Sequence, residues 1–270
     1  MAPFTRRGFL RSSCLTAGGA LAGVCCLANT VHASAARWTD FQTYPPFHCR
    51  ATFPLEPLKP MFRELASLER ELRRTLALPP GTESVDVLLF SSERQHRDYC
   101  HQHLPRTPYR RALYLQRNDH ASVLAYRHPE LPIDLRHECT HALLHASFPM
   151  VPLWLDEGLA EYFEMPESRR AFHHPHLDKL RWNLRLGMIQ TVESLEDARD
   201  LQDMGGAEYR FAWAWVHFML HGPVPAHRAL VHYLADIQRG QPPGKLSERL
   251  REAVPQLEDR MTQHFRNWRA

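Results

Sequence analysis

Apolar residues recur along this chain at two spacings, and the change from one spacing to the other divides the sequence into two parts. Residues 59–78 carry leucine and methionine three or four positions apart, which predicts a surface helix with one buried face. Residues 84–90 (SVDVLLF), 110–115 and 122–126 are short apolar runs that predict strands. Beyond residue 131 the spacing is almost wholly helical. The pattern therefore predicts an α+β fold, with a small mixed sheet in the N-terminal part and a mostly helical C-terminal part.

Prolines and glycines divide the helical part into separate segments. Short helices are predicted at residues 177–186 and 191–201, and longer ones at 209–220, 225–238, 246–253 and 256–268. Residues 36–57 hold aromatic residues and prolines without a clear period, and they predict an extended arm. We expect a single domain from residue 36 to residue 270, in which the arm precedes a helix-and-sheet part at 58–130 and a helical part at 131–270.

The first 35 residues have the composition of a cleaved export signal. A basic start without acidic residues is followed by an apolar run at 15–28 and by Ala33-Ser34-Ala35, which is typical of a cleavage site. The stretch TRRGFLR (residues 5–11) resembles the twin-arginine signal of bacteria, which implies the twin-arginine export machinery as a partner. An apolar run of about 14 residues is short for a bilayer span, so a membrane anchor is the weaker alternative. We therefore expect a periplasmic or secreted protein that begins near Ala36 and has no stable membrane span in its mature form.

Charge and cysteine content narrow the choice of partners. The whole chain has 33 lysines and arginines against 30 aspartates and glutamates, and the leader accounts for three arginines and no acidic residue. No basic stripe runs along the remaining sequence to indicate a nucleic acid or an anionic membrane. Of the three cysteines beyond the leader, Cys139 is expected to be a buried thiol. An oxidising compartment permits a bridge between Cys49 and Cys100, which the sequence leaves open.

The stretch HECTH places two histidines four residues apart on a predicted helix. Pro132 and Asp134 are typical of the first turn of a helix, so the helix begins shortly before His137. Residues four apart on a helix differ by about 40° and one turn, so His137 and His141 can present two imidazoles to one point, with Glu138 beside them. Two neutral histidines that bind Zn²⁺ and a glutamate that activates water are the zinc-hydrolase arrangement. The spacing therefore predicts a divalent metal site.

A second amphipathic helix follows in LWLDEGLAEYFE. Glu157 and Glu161 share one face of it, whereas Leu155, Leu159 and Tyr162 share the opposite face. Two acidic groups are therefore expected to face the two imidazoles of the preceding helix.

HECTH followed by WLDEGLAEYFE resembles the gluzincin zinc metallopeptidases, the superfamily of thermolysin and the aminopeptidases. The resemblance implies one Zn²⁺ per chain with His137, His141 and Glu157 as ligands, and Glu138 as the general base. It also implies that Glu161 hydrogen-bonds a liganding histidine. A thermolysin-like core is implied as well, in which the edge strand of a small sheet holds an extended peptide substrate. The metzincin pattern does not apply, because Leu144 and Ser147 stand where that pattern has glycine and histidine.

A further stretch, EYRFAWAWVHFML at residues 208–220, resembles the Y-x-x-x-W-A-x-V-H-F helix of exported bacterial gluzincin-like proteins of unknown function. Together the resemblances cover roughly residues 84–268. Gluzincins use a phenol or imidazole from a later helix to donate a hydrogen bond to the developing oxyanion, which implies this role for Tyr209. The alternative is a tyrosine that fills space, with His217 or His145 as the next donors. For His145 a hydrogen-bonded structural role is the other expectation.

These features predict an exported single-zinc hydrolase that cleaves a peptide or amide bond. A zinc hydrolase of a non-protein bond and a non-catalytic, metal-stabilised binding protein of the cell envelope are the alternatives. Three further histidines, His173, His174 and His176, surround Pro175 and predict a solvated loop, with adventitious metal binding as the alternative.

Overall fold

A five-stranded mixed sheet forms the N-terminal part of the fold in the computed structural model, which describes residues 37–79, 84–117 and 120–269. The strands are β1 (Asp40–Tyr44), β2 (Phe47–Ala51), β3 (Val85–Phe90), β4 (Ala112–Arg117) and β5 (His120–Tyr126). Their order in the sheet is β1-β2-β3-β5-β4. The β1/β2 and β4/β5 pairs are antiparallel, whereas β2/β3 and β3/β5 are parallel. The predicted leader at residues 1–35 and the residues numbered 118 and 119 lie outside the described residues.

The predicted extended arm is wrong for residues 40–51, because these residues form β1 and β2. Phe47, Cys49 and Ala51 are buried while the two residues between them are exposed, which is the period of a half-buried strand. That period lasts only five residues. It comes directly after Pro45 and Pro46, which obscure it in the sequence.

Helices follow the predicted order. They are α1 (Lys59–Leu76), α2 (Glu93–His103), α3 (Leu131–Ser147), α4 (Leu153–Phe163), α5 (Glu167–Arg170), α6 (His176–Arg185), α7 (Val192–Glu196), α8 (Gly206–His221), α9 (Val224–Gln238), α10 (Leu246–Ala253) and α11 (Leu257–Asn267). The helix predicted at 191–201 ends early, and a 3₁₀ turn at Leu201–Asp203 follows it. The α+β class and its helical C-terminal part are confirmed. Among the described residues, none of the helices has the length and apolar character needed to cross a membrane.

The sheet separates two hydrophobic clusters. The larger cluster contains Val85, Val87 and Cys49 together with buried residues of α1, α3, α4 and α8. The smaller one contains Phe90 and Cys100 and lies on the opposite face, because alternate residues of β3 point to opposite sides. All three described cysteines are free and buried, so the possible Cys49–Cys100 bridge is not formed. The physical reason is that the sheet lies between the two sulfurs.

Helices α4 and α8 approach each other closely where Gly158 faces Ala212. A Cβ atom built on Gly158 would lie 2.7 Å from the backbone oxygen of Ala212 and 2.9 Å from its carbonyl carbon. The neighbour is the backbone of a helix, which cannot rotate away as the end of a side chain can. Glycine at this position therefore sets the distance between α4, which carries Glu157, and α8, which carries Tyr209.

Substitution of Gly158 tests this packing. Gly158→Ala should lower the free energy of unfolding by about 1–3 kcal/mol, because the two helices must separate to admit the methyl group. This loss is expected even though alanine favours a helix over glycine by about 1 kcal/mol. Urea denaturation measures the difference. Gly206→Ala is the matched control, since a Cβ there meets nothing within 4 Å, and equal stability of the two variants would contradict the close approach.

Candidate metal centre

Three predicted ligands from α3 and α4 lie together. The carboxylate Oε2 of Glu157 is 3.6 Å from Nε2 of His137 and 3.9 Å from Nε2 of His141. One ligand atom from each of the three residues lies within 4.8 Å of the other two. Donor atoms around a tetrahedral zinc ion with bonds of about 2.0–2.1 Å are separated by about 3.4 Å. The three donors are close enough to share one ion once they draw together to that separation.

The second nitrogen of each imidazole faces a carboxylate, which leaves Nε2 directed to the centre. Nδ1 of His137 is 3.1 Å from Oε2 of Glu164. Nδ1 of His141 is 3.0 Å from Oδ1 of Asp156, although the two atoms are not aligned for a hydrogen bond. Carboxylates in these positions fix the ring orientation and increase the basicity of a metal-bound histidine.

These carboxylates give the centre a strongly negative environment. Burial alone would lower the pKa of His137, but the carboxylates of Glu157 and Glu164 outweigh burial and hold the pKa well above its ordinary value. Burial would also lower the pKa of His141. The carboxylate of Asp156 outweighs burial and raises this pKa to about 9. Without a metal, the surrounding carboxylates therefore favour the protonated form of both imidazoles. A divalent cation would take the place of those protons, so the donor set fits a metal ion.

The hydrogen bond predicted for Glu161 is made by Glu164 instead. The carboxylate of Glu161 lies 2.9 Å from Nε2 of His176, with which it forms an ion pair when that histidine is protonated. Glu164 follows Glu157 by seven residues, so it lies within about 20° of it around the helix, whereas Glu161 lies about 40° away. Both residues share the face towards His137. Which of them reaches the ring is decided by His176, which periodicity does not reveal.

The solvated loop predicted around Pro175 is wrong for two of its three histidines. His174 is buried, and its Nε2 donates to the backbone oxygen of Glu161 at 2.9 Å. Its ring stacks on Trp213 with centroids 4.5 Å apart. Burial lowers the pKa of His174 to about 4, so this histidine is neutral. The partner of His174 is a backbone carbonyl, which leaves no signal in the residue pattern.

Asp156 is a residue that sequence reasoning missed. It is buried, and its second oxygen, Oδ2, lies 3.0 Å from Nε2 of His145. His145 therefore has the hydrogen-bonded role that was one of its two expectations. The signal in the sequence was the position of Asp156 immediately before Glu157, about 100° around the helix and towards the later histidines of α3.

The side chain of Glu138 extends from α3 to the sheet. Its Oε2 accepts a hydrogen bond of 2.7 Å from the backbone N–H of Tyr114. Tyr114 belongs to β4, which is an edge strand of the described sheet. The backbone groups of β4 that point away from β5 therefore face the candidate centre.

Tyr209 lies in the first turn of α8 and is half-buried. Burial raises its pKa to about 12, with the carboxylates of Glu157, Glu161 and Glu138 acting in the same direction and Arg110 opposing them. The phenol therefore lies within electrostatic range of the centre and keeps its proton at neutral pH. The next candidate donors have other partners, because His145 contacts Asp156 and His217 lies 2.9 Å from the backbone oxygen of Ala171.

Comparison of the chain with models of known protein families finds no match, and comparison with curated proteins finds none either.

Exchange of single carboxylates for amides tests which glutamate orients His137. Glu164→Gln should weaken zinc binding by about 10- to 100-fold, because the amide lowers the basicity of the imidazole. Glu161→Gln should have a smaller effect, and Glu167→Gln, on the exposed surface of α5, should have none. Competition with a chromophoric chelator at fixed pH measures the three affinities. The reverse order for Glu161 and Glu164 would restore the orienting role to Glu161.

Proposed function

We propose that this chain is a gluzincin-type zinc hydrolase that cleaves peptide or amide bonds. The observation that carries the proposal is the convergence of His137, His141 and Glu157, with a carboxylate behind each histidine and Glu138 beside them. Two histidines and one glutamate are a ligand set of catalytic rather than structural zinc sites, because three protein donors leave a position for water or substrate. The proposal includes export of the enzyme, because residues 1–35 have the composition of an export signal.

His137, His141 and Glu157 would hold the ion, which when bound would polarise a carbonyl and lower the pKa of water to about 7. The chain would supply the ligands, and Glu164 and Asp156 would orient the two histidines. Little solvent reaches the site, because His141 and Glu157 are buried.

Glu138 is the proposed general base. Its carboxylate would accept the proton of the attacking water and return it to the leaving amine. The hydrogen bond from the Tyr114 amide supports this role, because it holds one carboxylate oxygen towards the edge strand and leaves the other oxygen for proton transfer.

Strand β4 is the proposed binding surface for the substrate. A peptide in extended conformation would add to the sheet along this edge through main-chain hydrogen bonds. Such binding is largely independent of side chains, so the proposal assigns the substrate class, an extended peptide, rather than a sequence.

Metal content and hydrolysis test the proposal together. The purified chain should contain one zinc ion, and His137→Ala, His141→Ala and Glu157→Ala should each lose it, because each removes one of three protein donors. Glu138→Gln should keep zinc and the folded state but should not hydrolyse a peptide library, since an amide cannot accept the proton. Elemental analysis and mass spectrometry of the library give both readouts. Full zinc retention in all three ligand variants would refute the metal centre, whereas zinc without turnover in the wild type would refute only the peptidase.

Tyr209 is the proposed donor to the oxyanion. Tyr209→Phe removes only the hydroxyl, and loss of one such donor lowers kcat by roughly 10²- to 10³-fold. Zinc content and melting temperature should stay near the wild-type values. Tyr99→Phe is the control, because Tyr99 lies on α2, which packs on the opposite side of the sheet. Unchanged turnover in Tyr209→Phe would return this residue to a structural role.

A further inference from the structure

Four arginines from two distant segments of the sequence line one open groove between α6 and the end of α11. The lining consists of Arg181, Leu184, Arg185, Phe265, Arg266 and Arg269. The near-neutral balance of the chain beyond the leader conceals this concentration of charge, since the fold alone brings residues 181–185 and 265–269 together.

Little negative charge compensates the groove. Arg181 donates to the backbone oxygens of Phe265 and Trp268, and its Nη1 lies 3.8 Å from the exposed Asp178. Within residues 37–79, 84–117 and 120–269, the other three arginines have neither an ion pair nor a hydrogen bond. Unpaired guanidinium groups in such number are free to bind an anion.

A row of exposed apolar side chains lies beside the arginines of the groove. Trp182, Leu186 and Met188 are 59%, 56% and 45% exposed. On α6, Arg181 and Arg185 form one row along the helix, and Trp182 and the following Leu186 form the adjacent row about 100° away. The surface therefore offers charge and large apolar side chains next to each other.

We propose that this surface docks on an anionic lipid membrane. Guanidinium groups bind lipid phosphates, an exposed tryptophan suits the headgroup region, and aliphatic side chains beside them reach the acyl boundary. A nucleic acid would use the arginines and Trp182 but would leave the aliphatic Leu186 and Met188 in water. Free phosphate would use the arginines alone. The membrane is the partner that engages both rows, and this proposal does not depend on the zinc chemistry.

Vesicle binding by the full chain tests the charge. The wild type should bind vesicles of phosphatidylcholine with phosphatidylglycerol more tightly than vesicles of phosphatidylcholine alone. Each basic residue at an anionic surface contributes about fivefold, so Arg185→Glu combined with Arg266→Glu should weaken binding by roughly 30-fold or more. Arg63→Glu combined with Arg228→Glu makes the same change in net charge at exposed positions outside the groove and should have little effect. Arg269→Glu alone, beyond the end of α11, provides a variant without a change inside a helix, and about fivefold weaker binding is expected.

Fluorescence of Trp182 tests the apolar row. Brominated acyl chains should quench the wild-type emission on binding, and Trp182→Phe should lose most of this quenching while it keeps an aromatic ring. Of the other five tryptophans, Trp154, Trp213 and Trp215 are buried and Trp38 and Trp268 are half-buried, so Trp182 is the most exposed emitter and Trp182→Phe assigns the quenching to it.

Three results would overturn the proposal. They are equal vesicle binding by the groove variant and its control, binding without quenching of Trp182, and absence of vesicle binding with retention of single-stranded DNA by the same arginines. Because every variant keeps residues 1–36, any contribution of that segment to vesicle binding is common to all of them. A melting curve for each variant separates lost binding from lost folding.

Discussion

Negative charge buried between α3 and α4 is the constraint on which the rest of the candidate site depends. Asp156 and Glu157 are buried, and Glu164 is half-buried. Each of these carboxylates lies within 4 Å of a ring nitrogen of His137 or His141. A carboxylate that leaves water without a partner is costly, so the imidazoles must carry protons or the site must hold a cation. The two helices can therefore pack only in the register that brings histidine to carboxylate. The same register directs both Nε2 atoms to Glu157, so charge balance in the fold and assembly of the proposed ligand set are one requirement.

Helix α4 is held on its other side by contact of a different kind. Gly158, adjacent to the proposed ligand Glu157, allows the backbone of α8 to come close at Ala212. One turn before Ala212, α8 carries Tyr209. Backbone contact, rather than flexible side chains, thus sets the distance between α4 and Tyr209. The proposed catalytic geometry requires rigidity of this kind. Glycine directly after Glu157 has a packing reason in this chain, independent of any resemblance.

Local periodicity accounts for the parts of the fold and site that the sequence predicts. The helix around HECTH and the proximity of His137 and His141 follow from a spacing of four residues on one helix, and a second such spacing places Glu157 and Glu161 on one face of the next helix. The choice of Glu157 between these two glutamates came from the resemblance to the gluzincins. Contacts between distant segments were not predictable in this way. The choice of Glu164 over Glu161 depends on His176 from a later helix, and the pairing of β2 with β3 crosses the whole of α1. The basic groove likewise joins residues more than 80 positions apart, so composition and sequence order give no sign of it.

Helix α6 connects the two surfaces to which we assign function. Its first residue, His176, pairs with Glu161, which shares a face of α4 with Glu157. Its last residue, Arg185, lines the basic groove. A ten-residue helix is about 15 Å long, so the candidate centre and the proposed membrane surface are separated by roughly one helix length. Both α6 and α11 also pack on α8, the helix that begins with Tyr209 in its first turn. Docking through the C-terminal end of α6 would therefore hold the proposed centre about one helix length from the lipid.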